Sequence, residues 1–315
     1  MKFFSLFPEI KDKSVGMKLL ILLLLVAVFL VLSTLLGIVI AIPLFGFEIF
    51  KDLTALNDLS NPRTIAILKY FQVVNQIGVF VLPALFYAQL ENRSVSGYLR
   101  LKGRINIRYL IISVFVIAAA IPAINWLVEA NEQMRLPESL SSIEEWMRNS
   151  EDKAKALTDA FLNVNTIGGL VINLIIIALL AAIGEEFLFR GVILRIFNDW
   201  SQNIHFSVVL SAVLFSAIHF QFYGFFPRLV LGIMFGYIFL WTGTIWISVI
   251  LHFLFNGMTV VAYYLANSGV IEADIDSIGS STSVYVLLGS LISTILLLSY
   301  LSFLTKRNMN AGENG

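Results

Sequence analysis

Leu174-Ile175-Ile176-Ile177-Ala178-Leu179-Leu180-Ala181-Ala182-Ile183-Gly184-Glu185-Glu186-Phe187-Leu188-Phe189-Arg190-Gly191 is the stretch that decides the fold. It opens as an uncharged apolar run, the signature of a membrane-spanning helix. Two carboxylates and a guanidinium then appear without ending the apolar character. Ionisable side chains inside a span are costly, face a bundle interior or a wet cavity, and mark a functional site by default. Two more polar insertions follow. One is His219 in Phe215-Ser216-Ala217-Ile218-His219, and the other is His252 with Asn256 in His252-Phe253-Leu254-Phe255-Asn256. The chain has 3 histidines, so two of them fall in these runs. The pattern reads as an intramembrane active site.

Composition agrees with the class. The chain is 58% hydrophobic and 13% charged, against roughly 25% charged residues in a soluble domain. Long apolar runs recur, which predicts an all-α polytopic membrane protein, whereas a β-barrel would alternate in short segments. Formal net charge is zero and the basic residues sit near span ends, so no nucleic-acid partner is expected; the bilayer is the expected partner. Cysteine is absent, which excludes disulfides and thiolate catalysis.

The expected organisation is a cytoplasmic head at 1–17 with Lys2, Lys11 and Lys13, then N-terminal spans one to three within 18–128. These run from 18 to about 46, broken at Pro43; from 69 to 90, interrupted by Pro83; and from 107 to 128. The first is read as a retained span rather than a cleaved signal peptide. A basic link at 91–105 carries Arg93, Arg100, Lys102 and Arg104. Residues 129–162 form a polar extramembrane segment with one or two amphipathic helices. A core of spans four to seven at 163–264 follows, with one of its spans placed at 204–221. A last span lies within 265–304, and 305–315 is a disordered tail. About eight spans put both termini on one side, and the basic links make that side cytoplasmic, as in a bacterial inner membrane.

On a helix, positions four apart share a face. Glu186 can therefore pair with Arg190, which lowers the cost of burying either charge, as a structural ion pair or a support for the site. Glu185 points to a neighbouring face with only Ala181, Ala182 and Phe189 around it, free to act on a water molecule. His219 can share in activating that water, and His252 with Asn256 can donate to a polarised carbonyl oxygen. Each histidine alone also fits an interhelical hydrogen bond, and Asn256 fits packing glue. Phe215 reads as a wall for His219, and His205 as an interfacial residue. Glu185, His219 and His252 also match a catalytic zinc site in number, although Asn256 suits an oxyanion donor better than a ligand. His-Glu-x-x-His, Gly-x-Ser-x-Gly and Walker motifs are absent.

The ordered set Glu185-Glu186-x-x-x-Arg190, Phe215-x-x-x-His219 and His252-x-x-x-Asn256 resembles the CPBP intramembrane proteases, the CAAX-prenyl-protease-like, bacteriocin-processing or Abi proteins. The lead-in Gly236…Thr242-Gly243-Thr244-Ile245-Trp246 fits as well. The resemblance covers about 165–260 and implies a conserved four-helix catalytic core. It implies a glutamate-dependent peptidase without metal or other cofactor. Glu185 and His219 would activate water, His252 and Asn256 would form the oxyanion hole, and Glu186 and Arg190 would support them. The expected substrate is a membrane-embedded or lipidated polypeptide. A different class, a transporter or a bacteriocin-immunity protein acting by binding, would use the same ionisable residues as a proton or ligand path.

One expectation conflicts with these boundaries. A straight span from 204 carries His219 about 22 Å across the membrane, while the same boundaries put Glu185 near the cytoplasmic end of its own span.

Overall fold

The computed structural model describes residues 9–47, 51–92, 94–272 and 283–312. Lys2 of the basic head and Arg93 of the basic link lie outside them. All regular structure among the described residues is helical, and seven helices are long and apolar enough to cross a membrane. The protein is all-α and polytopic.

Helix α1 (Val15–Phe45) starts where the Ser14 side chain accepts the Met17 N–H. It does not break at Pro43 but runs on to Phe45, because a proline two residues from the end removes little of the helical ladder. Its outward face, including Leu23, Leu36 and Val39, is exposed and apolar, as lipid contact requires. One buried ion pair ties it inward: Lys18 Nζ lies 2.6 Å from Glu91 Oε1.

Helix α2 (Pro62–Asn92) starts earlier than expected, with Asn61 capping the Arg63 N–H and Pro62 in the first turn, a strong start signal. Pro83 does not interrupt it. The turn before it, Gln76–Val81, is widened to a π-helix, which moves the Val79 carbonyl away from the proline ring that would otherwise clash with it.

Helix α3 (Ile107–Glu132) is followed by the amphipathic α4 (Ser141–Leu162), which is not among the spans. Helix α5 (Ile167–Ser201) is 35 residues long. It is α-helical at Ala181–Glu186 between two widened turns, Leu174–Leu180 and Phe187–Ile193. The chain reverses at Gln202, whose φ is 49°, and enters α6 (Ile204–Ala217).

Fourteen residues rise about 21 Å, short of the roughly 30 Å hydrocarbon core. The span placed at 204–221 is thus a shorter helix, and His219 lies in the turn beyond it. The conflict in depth disappears with this geometry. Glu185 precedes Ser201 by 16 residues and His219 follows Ile204 by 15, so the antiparallel pair α5–α6 brings both to one level.

Helices α7 (Phe225–Thr242), α8 (Ile245–Asn267) and α9 (Val284–Gly312) complete the bundle. The last one continues past the expected end at 304 to Gly312. Lys306 and Arg307 stand near its C-terminal end, where cations suit the helix dipole.

Two apolar clusters form the interior. One gathers Tyr87, Phe189, Phe215 and Ile245; the other gathers Val116, Phe235, Leu251 and Leu301. Phe215 and Phe235 both flank the His252 ring, so the site occupies the seam between the clusters.

Candidate active site

Glu186 is fully buried and Arg190 is 1% exposed. Arg190 Nη1 donates to Glu186 Oε1 at 2.7 Å, and Nη2 donates to the Gly232 carbonyl at 3.1 Å. The guanidinium also stands 4.7 Å over the Phe215 ring and 5.6 Å from Phe235. The pair that the spacing predicts is thus formed, and Arg190 reaches across to α7 through a backbone carbonyl. The same Glu186 oxygen lies 2.9 Å from His252 Nδ1. A carboxylate oxygen shared by a guanidinium and an imidazole fixes that ring's orientation and places the proton on Nδ1. Glu186 Oε2 is buried with no partner among the described residues.

Glu185 turns to the other side of α5 and lines a cavity of about 310 Å³. His219, His252, Asn256 and Phe215 line the same cavity. Glu185 Oε2 is 3.7 Å from His252 Nε2, and Gln76 Nε2 approaches Glu185 Oε1 at 3.5 Å. Asn256 holds its amide near the Ile177 carbonyl at 3.4 Å.

His219 has its tautomer set by the backbone. Nδ1 lies 2.8 Å from the Phe215 carbonyl, which only accepts, so Nδ1 carries the proton and Nε2 keeps its lone pair. Phe215 packs edge-on against both His219 and His252, at 5.2 and 6.0 Å between centroids. His205 is elsewhere, with Nδ1 2.6 Å from the Tyr237 hydroxyl.

All four proposed reacting side chains therefore face one cavity, drawn from α5, the turn after α6, and α8. Among the described residues no three His, Asp or Glu side chains converge as metal ligands. Sequence reasoning missed Gln76, Phe235 and Arg228, which also borders the cavity. Gln76 belongs to a small cluster of amides, with Gln72 and Asn75, in an otherwise apolar stretch of α2, and Gln72 also lines the cavity, a signal like the one that singled out His219. Arg228 and Phe235 had no such signal, since one looks interfacial and the other resembles many packing phenylalanines.

Comparison with known proteins falls on the same helices. Residues 167–258 match the family of type II CAAX prenyl endopeptidases, Rce1-like. This is the CAAX-protease-like family that the three motifs resemble, and the Rce1-like segment contains every one of them. With its spanning helices, the segment places the protein among integral, multi-pass membrane proteins. No curated protein matches the chain. No solved structure matches it either.

Proposed function

We propose that the protein is an intramembrane endopeptidase of CAAX type that hydrolyses a peptide bond of a membrane-embedded or lipidated polypeptide. The observation that carries this reading is the shared cavity of Glu185, His219, His252 and Asn256. Glu185 takes a proton from a water molecule, and the free lone pair of His219 Nε2 accepts a hydrogen bond that aligns it. The water oxygen attacks the scissile carbonyl carbon. The carbonyl oxygen becomes an oxyanion facing Asn256 and His252. With His252 Nδ1 held by Glu186, a proton on Nε2 is the one that donates to that oxyanion. Collapse of the intermediate breaks the C–N bond, and the proton held by Glu185 passes to the leaving amine. Glu186 and Arg190 position His252 and touch no reacting atom.

The test compares peptide ends in membranes from cells carrying the wild type or Glu185→Gln. Wild-type-specific ends that vanish in the variant are expected, because loss of a general base costs about 10²–10⁴ in rate. Identical ends in both strains would refute the enzyme reading. Activity lost to chelators and restored by zinc would keep the enzyme but overturn the metal-free mechanism.

A further inference from the structure

Arg195 lies ten residues beyond Glu185 on α5, about 15 Å along the axis, and is half-buried like Arg100 of the basic link. Arg195 Cζ stands 4.9 Å over the Tyr98 ring, and Arg100 Cζ 4.9 Å over the Phe239 ring. Lys18 and Arg190 donate to carboxylates, and Lys69 and Arg228 to backbone carbonyls. Among the described residues neither Arg100 nor Arg195 has such a partner for its guanidinium. The nearby acids do not supply one. Glu91 is taken by Lys18 at 2.6 Å and by the Tyr87 hydroxyl at 3.3 Å. Asp199, one turn beyond Arg195, is exposed and acts on it electrostatically without an ion pair. The two guanidiniums meanwhile repel each other.

The chain fixes this arrangement. A Cβ at Gly191, one turn before Arg195, would lie 2.6 Å from Leu99 Cδ2, so α5 packs directly on the residue preceding Arg100. Arg100 itself has a φ of 53°, a left-handed conformation that is costly for a residue other than glycine. Beyond it the link is fastened to the start of α8. Trp246 Nε1 donates to the Leu101 carbonyl at 2.8 Å, and Thr244 Oγ1 to the Gly103 carbonyl at 3.1 Å. Two like charges held together without a counter-ion raise the free energy of the fold, which an anion between them offsets. The level is that of the headgroups. Helix α5 has 35 residues, about 52 Å against a hydrocarbon core of roughly 30 Å, so about 11 Å of a centred helix projects at each end. Arg195 is six residues, about 9 Å, from that end. Trp200, Trp241 and Trp246 stand at the same ends of α5, α7 and α8, as interfacial aromatics do.

We propose that Arg100 and Arg195 bind the phosphate of an anionic phospholipid headgroup at this face of the membrane. A phosphate has oxygens enough to accept from both guanidinium forks at once. The site stands whether or not the protein is a peptidase. Lys102 and Arg104, exposed on the same link, add to the positive potential, which favours a lipid of net negative charge over a zwitterionic one. The basic links make this the expected cytoplasmic side, where basic pockets between spans take anionic headgroups. A free phosphate ion carries the same recognition chemistry. The interfacial level favours the lipid, whose acyl chains can lie against the exposed apolar side chains of Ile105 and Ile107 beside the link.

The test places the full-length protein in nanodiscs of equal phosphatidylglycerol and phosphatidylcholine and counts the lipids it retains by native mass spectrometry. The wild type is expected to retain phosphatidylglycerol at least about tenfold over phosphatidylcholine, as charge-assisted contacts from two guanidiniums imply. Arg100→Gln combined with Arg195→Gln should lose the preference, and each single variant should weaken it. Lys102→Gln combined with Arg104→Gln removes the same charge from the exposed part of the link and should keep most of the preference. Equal loss in the two pairs would reduce the site to diffuse surface charge and overturn the assignment. A wild type that retains both lipids alike overturns it too. Inorganic phosphate is then added as a competitor. Phosphatidylglycerol retained in its presence supports the lipid, and displacement assigns the site to the free ion and overturns the lipid source. The wild-type comparison and the single variants decide the matter where a double variant fails to fold.

Discussion

At the scale of single residues, the decisive contact is the one Glu186 oxygen shared by Arg190 and His252. Removing the guanidinium leaves a buried carboxylate facing only an imidazole, which is a stability effect before it is a catalytic one. Arg190→Met is expected to destabilise the protein by about 3–5 kcal/mol, as for other broken buried pairs. Glu185→Gln, in the cavity wall, should leave the melting temperature unchanged while abolishing cleavage. Thermal melting of both variants in detergent checks this, and equal loss of stability in the two would contradict the division of labour between the adjacent glutamates. That division was legible in the sequence, because Glu186 and Arg190 are four apart and Glu185 has no such partner. The Nδ1 contacts of the two histidines were not. They depend on a carbonyl from the preceding turn and a carboxylate from another helix, neither of which spacing reveals.

At the scale of elements, α6 must press close to α7 for His219 to reach the cavity. The approach is made at Gly232, where a Cβ would fall 2.9 Å from the Ala212 Cβ and 3.3 Å from its Cα. The Gly232 carbonyl also holds Arg190, so a shift here is felt in the site. Gly232→Ala is expected to cost about 1–3 kcal/mol by overpacking. Ala212→Gly should recover part of it, giving a coupling in a double-mutant cycle; simple additivity would show that the helices part freely. Helix positions were readable from hydropathy, yet the end of α6 was not, since Ile204–His219 is apolar almost throughout and offers no proline or glycine stop. The widened turns on both sides of Ala181–Glu186 were equally hidden. They cost helical hydrogen-bond regularity for no visible local reason in composition, and they lie where widened turns are often found, beside a functional site.

At the scale of the whole molecule, α4 is a strap across the cavity. Leu157, Thr158 and Phe161 contribute to its wall. Its C-terminal end is fastened firmly: the Phe161 carbonyl accepts from Lys69 Nζ and Asn173 Nδ2, both at 2.8 Å, and the Leu162 carbonyl accepts from Asn267 Nδ2 at 3.0 Å. The N-terminal half is held differently, by Trp146 against Phe222, Arg148 over Tyr223, and the Tyr223 N–H donating to Glu151 at 3.3 Å. Burial pushes the Glu151 carboxyl above its ordinary range, opposed by the Tyr223 N–H and by Arg228, with Glu132 and Asp152 adding to the rise. A carboxyl raised on docking binds its proton more tightly in the docked state. Its contribution is complete below the ordinary carboxylate range and is lost as pH climbs through the raised value. Helix α4 should therefore sit most firmly below the ordinary carboxylate range and loosen from its N-terminal half as pH rises through the raised value. Hydrogen exchange across Ser141–Leu162, corrected for the chemical rate at each pH, is expected to show protection of the first half falling as pH rises. The end beside Phe161 should stay flat, and Glu151→Gln should abolish the slope. Protection that rises with pH would mean that attraction between ionised Glu151 and Arg228 outweighs burial, and the strap would then close on the charged form instead.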